Sequence, residues 1–146
     1  MIEAQGEIVT GRSDTGFGAA SLGGDTIADA LDAASRDASV AAIILRIDSP
    51  GGSAIASDQI WDAVMRARQS GTPVIASMGA MAASGGYYIA APADRIIANA
   101  STLTGSIGMF GGKFVIDEAL GRVGLNLEPL HVGGDAGGGG GGGEGG

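Results

Sequence analysis

Apolar positions change their spacing several times along the first 132 residues, and each change marks an element. "IEAQGEIVT" alternates as a strand does. After a glycine-bearing loop, "GDTIADALDAASRD" brings Ile27, Ala30, Leu31 and Ala34 onto one helical face, with Asp25 as the expected N-cap. "VAAIILRI" (40–47) is almost wholly apolar, which predicts a strand covered on both faces. "DSPGGS" turns, and the helix after it lines up Ala56, Ile60, Val64 and Ala67 before ending ahead of Gly71 and Pro73. "PVIASM" is a short buried strand. The remaining expectations are a segment around Ser84, a strand "RIIAN", a loop "STLTGSIG", a short helix near "VIDEALGRVG" and a last strand "LNLEPLHV". Strands alternating with helices over short connections predict an α/β fold: a mainly parallel sheet layered with helices, one domain over residues 1–132.

The pattern stops at "GGDAGGGGGGGEGG" (133–146). Glycine there offers no side chains to bury and the most backbone entropy to lose, so this tail is expected to lie outside the fold. Composition narrows function mainly by exclusion. Of 146 residues, 16 are acidic and 8 basic, giving a net charge of −8 with no basic cluster, which argues against a nucleic-acid partner. The absence of cysteine removes disulfides, thiolate metal sites and cysteine nucleophiles, and no metal or other cofactor is called for. "MIEAQGEIVT" has neither the basic nor the apolar region of a signal peptide, and no apolar run approaches the roughly 20 residues that span a bilayer.

In parallel α/β folds ligands meet the loops at the carboxyl ends of strands. Three glycine-rich loops are expected there: "DSPGGS", "GAMAASGG" and "TLTGSIG". Ser84 in "MAASGGYYIA" falls at the amino end of a helix, where backbone N–H groups lack partners and negative charge is favoured. A hydroxyl attacking a carbonyl there needs two N–H donors about 3 Å from the developing oxyanion. Gly85, directly after the serine, supplies one candidate, and Gly51 or Gly52 of the facing loop another, although taken alone that pair is better explained as a plain Pro-Gly turn. Ser106 in "TGSIG" misses the hydrolase elbow because Thr104 stands where its first glycine belongs. "GMFGGK" is too short for a phosphate loop and has Phe114 where Ser or Thr is required. A base for Ser84 is not evident: the one histidine, His131, reads as a strand residue, and the one lysine, Lys113, as a solvated loop residue.

Taken together, "RIDSPGGS", "SMGAMAASGGYYIAAPADRIIAN" and "STLTGSIGMFGG" resemble the signal peptide peptidase A (protease IV) family of serine peptidases, from about residue 2 to about residue 132. The resemblance implies a Clp protease/crotonase-like fold and a Ser–Lys dyad. It makes Ser84 the nucleophile, with Gly51 and Gly85 as the oxyanion hole. It also implies a hydrophobic, membrane-associated peptide substrate such as a remnant signal peptide, and a homo-oligomer on the outer (periplasmic) face of the bacterial inner membrane. Met78, Met81, Ile107 and Met109 are then candidates to line an apolar substrate cleft, with filling of the core the competing role. The Ser–His–Asp variant of the Clp proteolytic subunit is disfavoured, since no histidine follows Ser84 before position 131. "ASTLTGSIG" and "FGGKF" look most like the carboxyl-terminal repeat of a long, two-repeat member, whose amino-terminal repeat carries the lysine. A non-catalytic repeat kept for assembly or peptide binding is the alternative, and an acyl-thioester enzyme of crotonase type a more distant one.

Overall fold

The computed structural model describes residues 1–14, 20–106 and 108. The first strand expected from the sequence is broken in two. Strand β1 (Ile2–Gln5) and strand β2 (Glu7–Val9) flank Gly6, whose φ of 99° turns the chain out of one sheet and into another. Ala20 packs so closely on Gly6 that a side chain there would collide with its carbonyl. Strand β2 pairs in parallel with β3 (Ser21–Gly23), a strand within the stretch expected to be a loop. Helix α1 (Gly24–Arg36) follows without a break, with Gly23 as N-cap. Asp25 is therefore inside the first turn rather than the cap, and its carboxylate accepts a 2.8 Å hydrogen bond from Gln59.

Strand β4 (Ile43–Ser49), helix α2 (Ala54–Gln69) and strand β5 (Val74–Ala83) form the centre of the molecule. A five-stranded sheet runs β1-β4-β5-β6, with β6 spanning Arg95–Ile97, and β7 (Leu103–Gly105) also pairs with β5. Every one of these pairings is parallel. Strand β5 accommodates both partners because β6 meets it at Ile75–Ser77 and β7 at Met81–Ala83.

Helices α1 and α2 cover one face. Ile43, Leu45 and Ile47 point into it and meet Ile60, Val64, Leu31 and Ile27, all buried. The stripe on α2 is as the sequence indicates: Ala56, Ile60, Val64 and Ala67 are fully buried. Coverage of both sheet faces, expected from the apolar run at 40–47, does not hold among the described residues. Strand β4 alternates, and Ile44 on its second face is 42% exposed. The apolar run misleads there because Ile44 is apolar without being in the core. Arg68 ties the end of α2 to the entry of β5. It bonds Asp94 (2.8 Å) and the Pro92 carbonyl (2.6 Å), while Asp94 accepts the Val74 N–H at 2.8 Å.

Candidate active site

Parallel pairing brings the carboxyl ends of β4, β5 and β7 to one end of the sheet, and with them Gly51, Gly85 and Gly105. The segment before Ser84 is not the loop expected from its glycine and alanines. Strand β5 continues to Ala83 and delivers Ser84 directly to helix α3 (Gly85–Ala90). Between its two paired stretches β5 needs an irregular step, and Asp48 holds it. The register of β4 against β5 shifts at this residue, and its carboxylate accepts the Met81 N–H at 3.1 Å. Gly79 lies against the same carboxylate, so closely that a Cβ would stand 2.8 Å from Oδ2.

Ser84 is half-buried and has φ 50°, ψ −118°, a conformation that a non-glycine residue adopts only when its surroundings impose it. The neighbours that impose it are identifiable. The Ser84 N–H donates to the Gly105 carbonyl at 2.7 Å, and the Ser84 carbonyl accepts the Tyr88 N–H at 3.0 Å, opening the helix ladder. The N–H groups of Gly85, Gly86 and Tyr87 precede that ladder and have no acceptor within the helix. Beneath the turn, Gly85 packs on Ser57 and Ile8, and Gly86 on Ser49, with no room for a side chain at either glycine.

The loop after β4 closes onto this turn. Gly51 is buried at φ 100°, and a Cβ built on it would stand 2.7 Å from the Gly85 nitrogen and 2.8 Å from the Ser84 Cβ. Glycine is required here for two separate reasons, backbone sign and close approach. The loop is pinned from its other side by β2: the Ile8 N–H donates to the Gly51 carbonyl and the Ser53 N–H to the Ile8 carbonyl, both at 2.8 Å. Ser53 then caps α2, its side chain accepting the Ala56 N–H at 3.2 Å. The Gly51 N–H is engaged by the Ser49 hydroxyl at 3.1 Å. Loop residues 50–53, the Ser84 turn and Gly105 thus meet at Ser84.

Other residues singled out in the sequence divide. Met78 is only 3% exposed and belongs to the core, where its sulfur accepts the Thr104 hydroxyl at 3.6 Å. Met81 is half-buried on β5, three residues before Ser84. Ile107, Met109, Lys113, His131 and the glycine tail lie outside the described residues. Ser106 shares with Ser84 a positive φ, 51°, next to the Gly105 carbonyl that receives Ser84. Among the described residues no group of His, Cys, Asp and Glu is arranged to hold a metal ion. Sequence reasoning did not single out Asp48 and Ser49. Their signal was position alone, the last two residues of a buried strand entering a Pro-Gly-Gly turn.

Comparison with known proteins puts this arrangement in context. The family model described as Peptidase family S49 matches residues 66–136, a stretch containing Ser84 and Gly105. Protease 4 of Salmonella typhi is 46% identical over 128 residues, covering 88% of this chain and 20% of the relative. The chain belongs to peptidase family S49. The chloroplastic serine protease SPPA of Arabidopsis thaliana is 47% identical over 92 residues, 63% of this chain and 13% of that protein. The chain therefore spans about a fifth of the length of Protease 4. Among solved structures, a Pseudomonas malonate decarboxylase hetero-tetramer in complex with coenzyme A matches with TM-score 0.50 at 25% identity, over 71% of this chain and 43% of that one. A ClpP1 mutant from Listeria monocytogenes matches with TM-score 0.48 at 22% identity, over 63% of this chain and 45% of that one. The α/β class expected from the sequence, a mainly parallel sheet layered with helices, is the one the described residues have, and the malonate decarboxylase match is a likeness of fold.

Proposed function

We propose that this S49 chain is the nucleophile-bearing part of a serine endopeptidase. The observation that carries the reading is the close approach of Gly51 to Ser84 and Gly85, which gathers a hydroxyl and two candidate N–H donors in one place. Ser84 Oγ adds to the peptide carbonyl and its proton passes to a neutral amine. The carbonyl oxygen takes up the negative charge between the N–H groups of Gly51 and Gly85. The amine then returns the proton to the leaving nitrogen as the C–N bond breaks, and water releases the acyl group from Ser84 by the same steps. A lysine fits the amine's role once burial or neighbouring cations lower its pKa from the usual value of about 10.4.

The described residues contain no lysine or histidine, and the one lysine of the sequence, Lys113, follows the "TGSIG" loop in a glycine-rich stretch unsuited to such burial. The base therefore comes from a lysine-bearing amino-terminal repeat of a longer protein, of which residues 1–132 are the other repeat. The short span of this chain relative to Protease 4 agrees with that view. The substrate class is hydrophobic peptide, such as signal-peptide remnants, with the half-buried Met81 as its candidate contact among the described residues. The working form is a homo-oligomer at the periplasmic face of the bacterial inner membrane. No helix among the described residues is long and apolar enough to cross a membrane.

Hydrolysis of a hydrophobic peptide by the isolated chain and by the chain joined to its upstream repeat tests the reading, with Lys113→Ala in both. The expected result is turnover only in the joined form, abolished by Ser84→Ala and indifferent to Lys113→Ala. Full turnover by the isolated chain, lost on Lys113→Ala, would make Lys113 the base. No turnover in either form would favour a repeat kept for assembly.

A further inference from the structure

The Gly51 N–H, wanted by the proposed mechanism at the oxyanion, is already taken. Gly51 and Ser49 are both buried, Ser49 completely, and the Ser49 hydroxyl accepts the Gly51 N–H at 3.1 Å across Pro50. Resting on the peptidase reading, we infer that Ser49 is a positioning residue that keeps the Gly51 N–H paired while the groove is empty and yields it when charge develops on the substrate oxygen.

Three features support an exchange rather than a fixed bond. First, 3.1 Å lies at the long end of N–H···O distances, whereas a bond to an oxyanion is charge-assisted and about twice as strong, so the donor prefers the oxyanion once it exists. Second, the two peptide units flanking Gly51 are held differently. The unit after it is locked on β2, its carbonyl accepting the Ile8 N–H at 2.8 Å, while the N–H of the unit before it is held by Ser49 Oγ. Glycine at φ 100° allows the Pro50–Gly51 unit to turn without a side chain sweeping through Ser84 and Gly85. Third, both residues are buried, and an unpaired buried donor is costly, so the N–H needs an acceptor when no substrate is bound. The Ser49 backbone needs no movement: it is fixed by pairing of Ser49 with Ala82 and by the packing of Gly86 on its carbonyl.

The consequence is selective. Removing the hydroxyl leaves the Gly51 N–H unpaired at rest, and that penalty disappears when an anionic oxygen arrives. Ser49→Ala should therefore favour the tetrahedral state over a bound ground-state peptide by roughly threefold to tenfold, the worth of one such hydrogen bond. The test uses the full-length, lysine-bearing protein with a hydrophobic peptidyl boronate, which takes Ser84 Oγ at boron to give an anionic tetrahedral adduct, and with the same peptide lacking boron. In Ser49→Ala, boronate affinity relative to peptide affinity should rise threefold to tenfold. Ser49→Cys, near in size and a weak acceptor, should lie between, and it carries the test should the alanine variant fail to fold. A ratio that is unchanged or falls in the folded variants overturns the role given to Ser49 and leaves the peptidase reading intact. A parent protein that forms no tetrahedral boronate, or forms one that survives Ser84→Ala, removes the Ser84 reading and this inference with it.

Discussion

Substituting Gly51 by alanine puts a methyl group where the arrangement has no space, and the cost divides into two parts that can be measured apart. The first is backbone sign. At φ 100° an L-residue is strained by about 1–2 kcal/mol whatever surrounds it. The second is contact. The new Cβ would stand 2.7 Å from the Gly85 nitrogen, 2.8 Å from the Ser84 Cβ and 3.0 Å from the Ala83 carbonyl oxygen. Two of these atoms are backbone, and all three belong to the end of β5 and the start of α3, so none can swing aside as a flexible side chain would. Overpacking of this kind costs about 1–3 kcal/mol more. Gly71 is the natural control: its φ is 92°, yet an added Cβ meets nothing within 4 Å. Urea unfolding should give Gly71→Ala the first cost alone and Gly51→Ala both, a difference of about 1–3 kcal/mol between the two variants. In the lysine-bearing protein, Gly51→Ala should also lower kcat by up to about 100- to 1,000-fold, as the clash moves the backbone N–H away from the oxyanion, while Gly71→Ala leaves kcat unchanged. Equal destabilisation by both substitutions would refute the close approach of Gly51 to Ser84. Full activity in a folded Gly51→Ala variant would refute its place in the mechanism.

The companion glycine offers a double-mutant test. A Cβ on Gly85 would stand 2.5 Å from the Ser57 hydroxyl, so Gly85→Ala should destabilise the fold, and adding Ser57→Ala should recover part of the loss in urea unfolding. Additive losses would mean that the two residues do not meet. Asp94 is held below its usual carboxylate range chiefly by the Val74 N–H, with Arg68 adding to it. A depressed native pKa gives stability that is present above the unfolded-state value of 3.8 and is lost as pH falls through the native one. Thermal unfolding between pH 5 and about pH 2 should thus show a smaller acid loss for Asp94→Asn than for the parent, and an identical loss would contradict the assignment. Asp48→Ala, which frees the Met81 N–H, should cut kcat more than it raises KM, because the step in β5 that aims Ser84 loses its anchor. A change in KM alone would place Asp48 in substrate binding instead.

Much of the fold was legible because α2 and the strands beside it obey simple periodicities. The stripe Ala56, Ile60, Val64, Ala67 is buried as its spacing demands. The misreadings have physical causes. Gly6 breaks "IEAQGEIVT" through a positive φ that periodicity does not register. Strand β3 has only three residues, too few to show any period. Strand β5 extends to Ala83 because Asp48 and the β7 pairing sustain it through residues whose composition resembles a loop. The glycines near Ser84 were visible as a motif, but the reason for them is tertiary: Gly51 is small because Ser84 and Gly85 lie against it, and Gly85 because Ser57 and Ile8 do. Met78 illustrates the limit in the other direction. Its thioether suits a substrate cleft, yet its place on β5 points it into the core. Ser49 was overlooked because an ordinary serine in a turn has no signature. Its importance comes from the N–H it accepts.

The central claim is that Ser84, strained at the end of β5 against Gly51 and Gly85, is the attacking nucleophile. The most direct measurement is peptide mapping by mass spectrometry after the lysine-bearing protein is treated with a serine-directed fluorophosphonate. The account predicts a single adduct on Ser84, absent in Ser84→Ala and suppressed by a competing hydrophobic peptide. An adduct on Ser106 or another serine, or labelling that persists in Ser84→Ala, would contradict it.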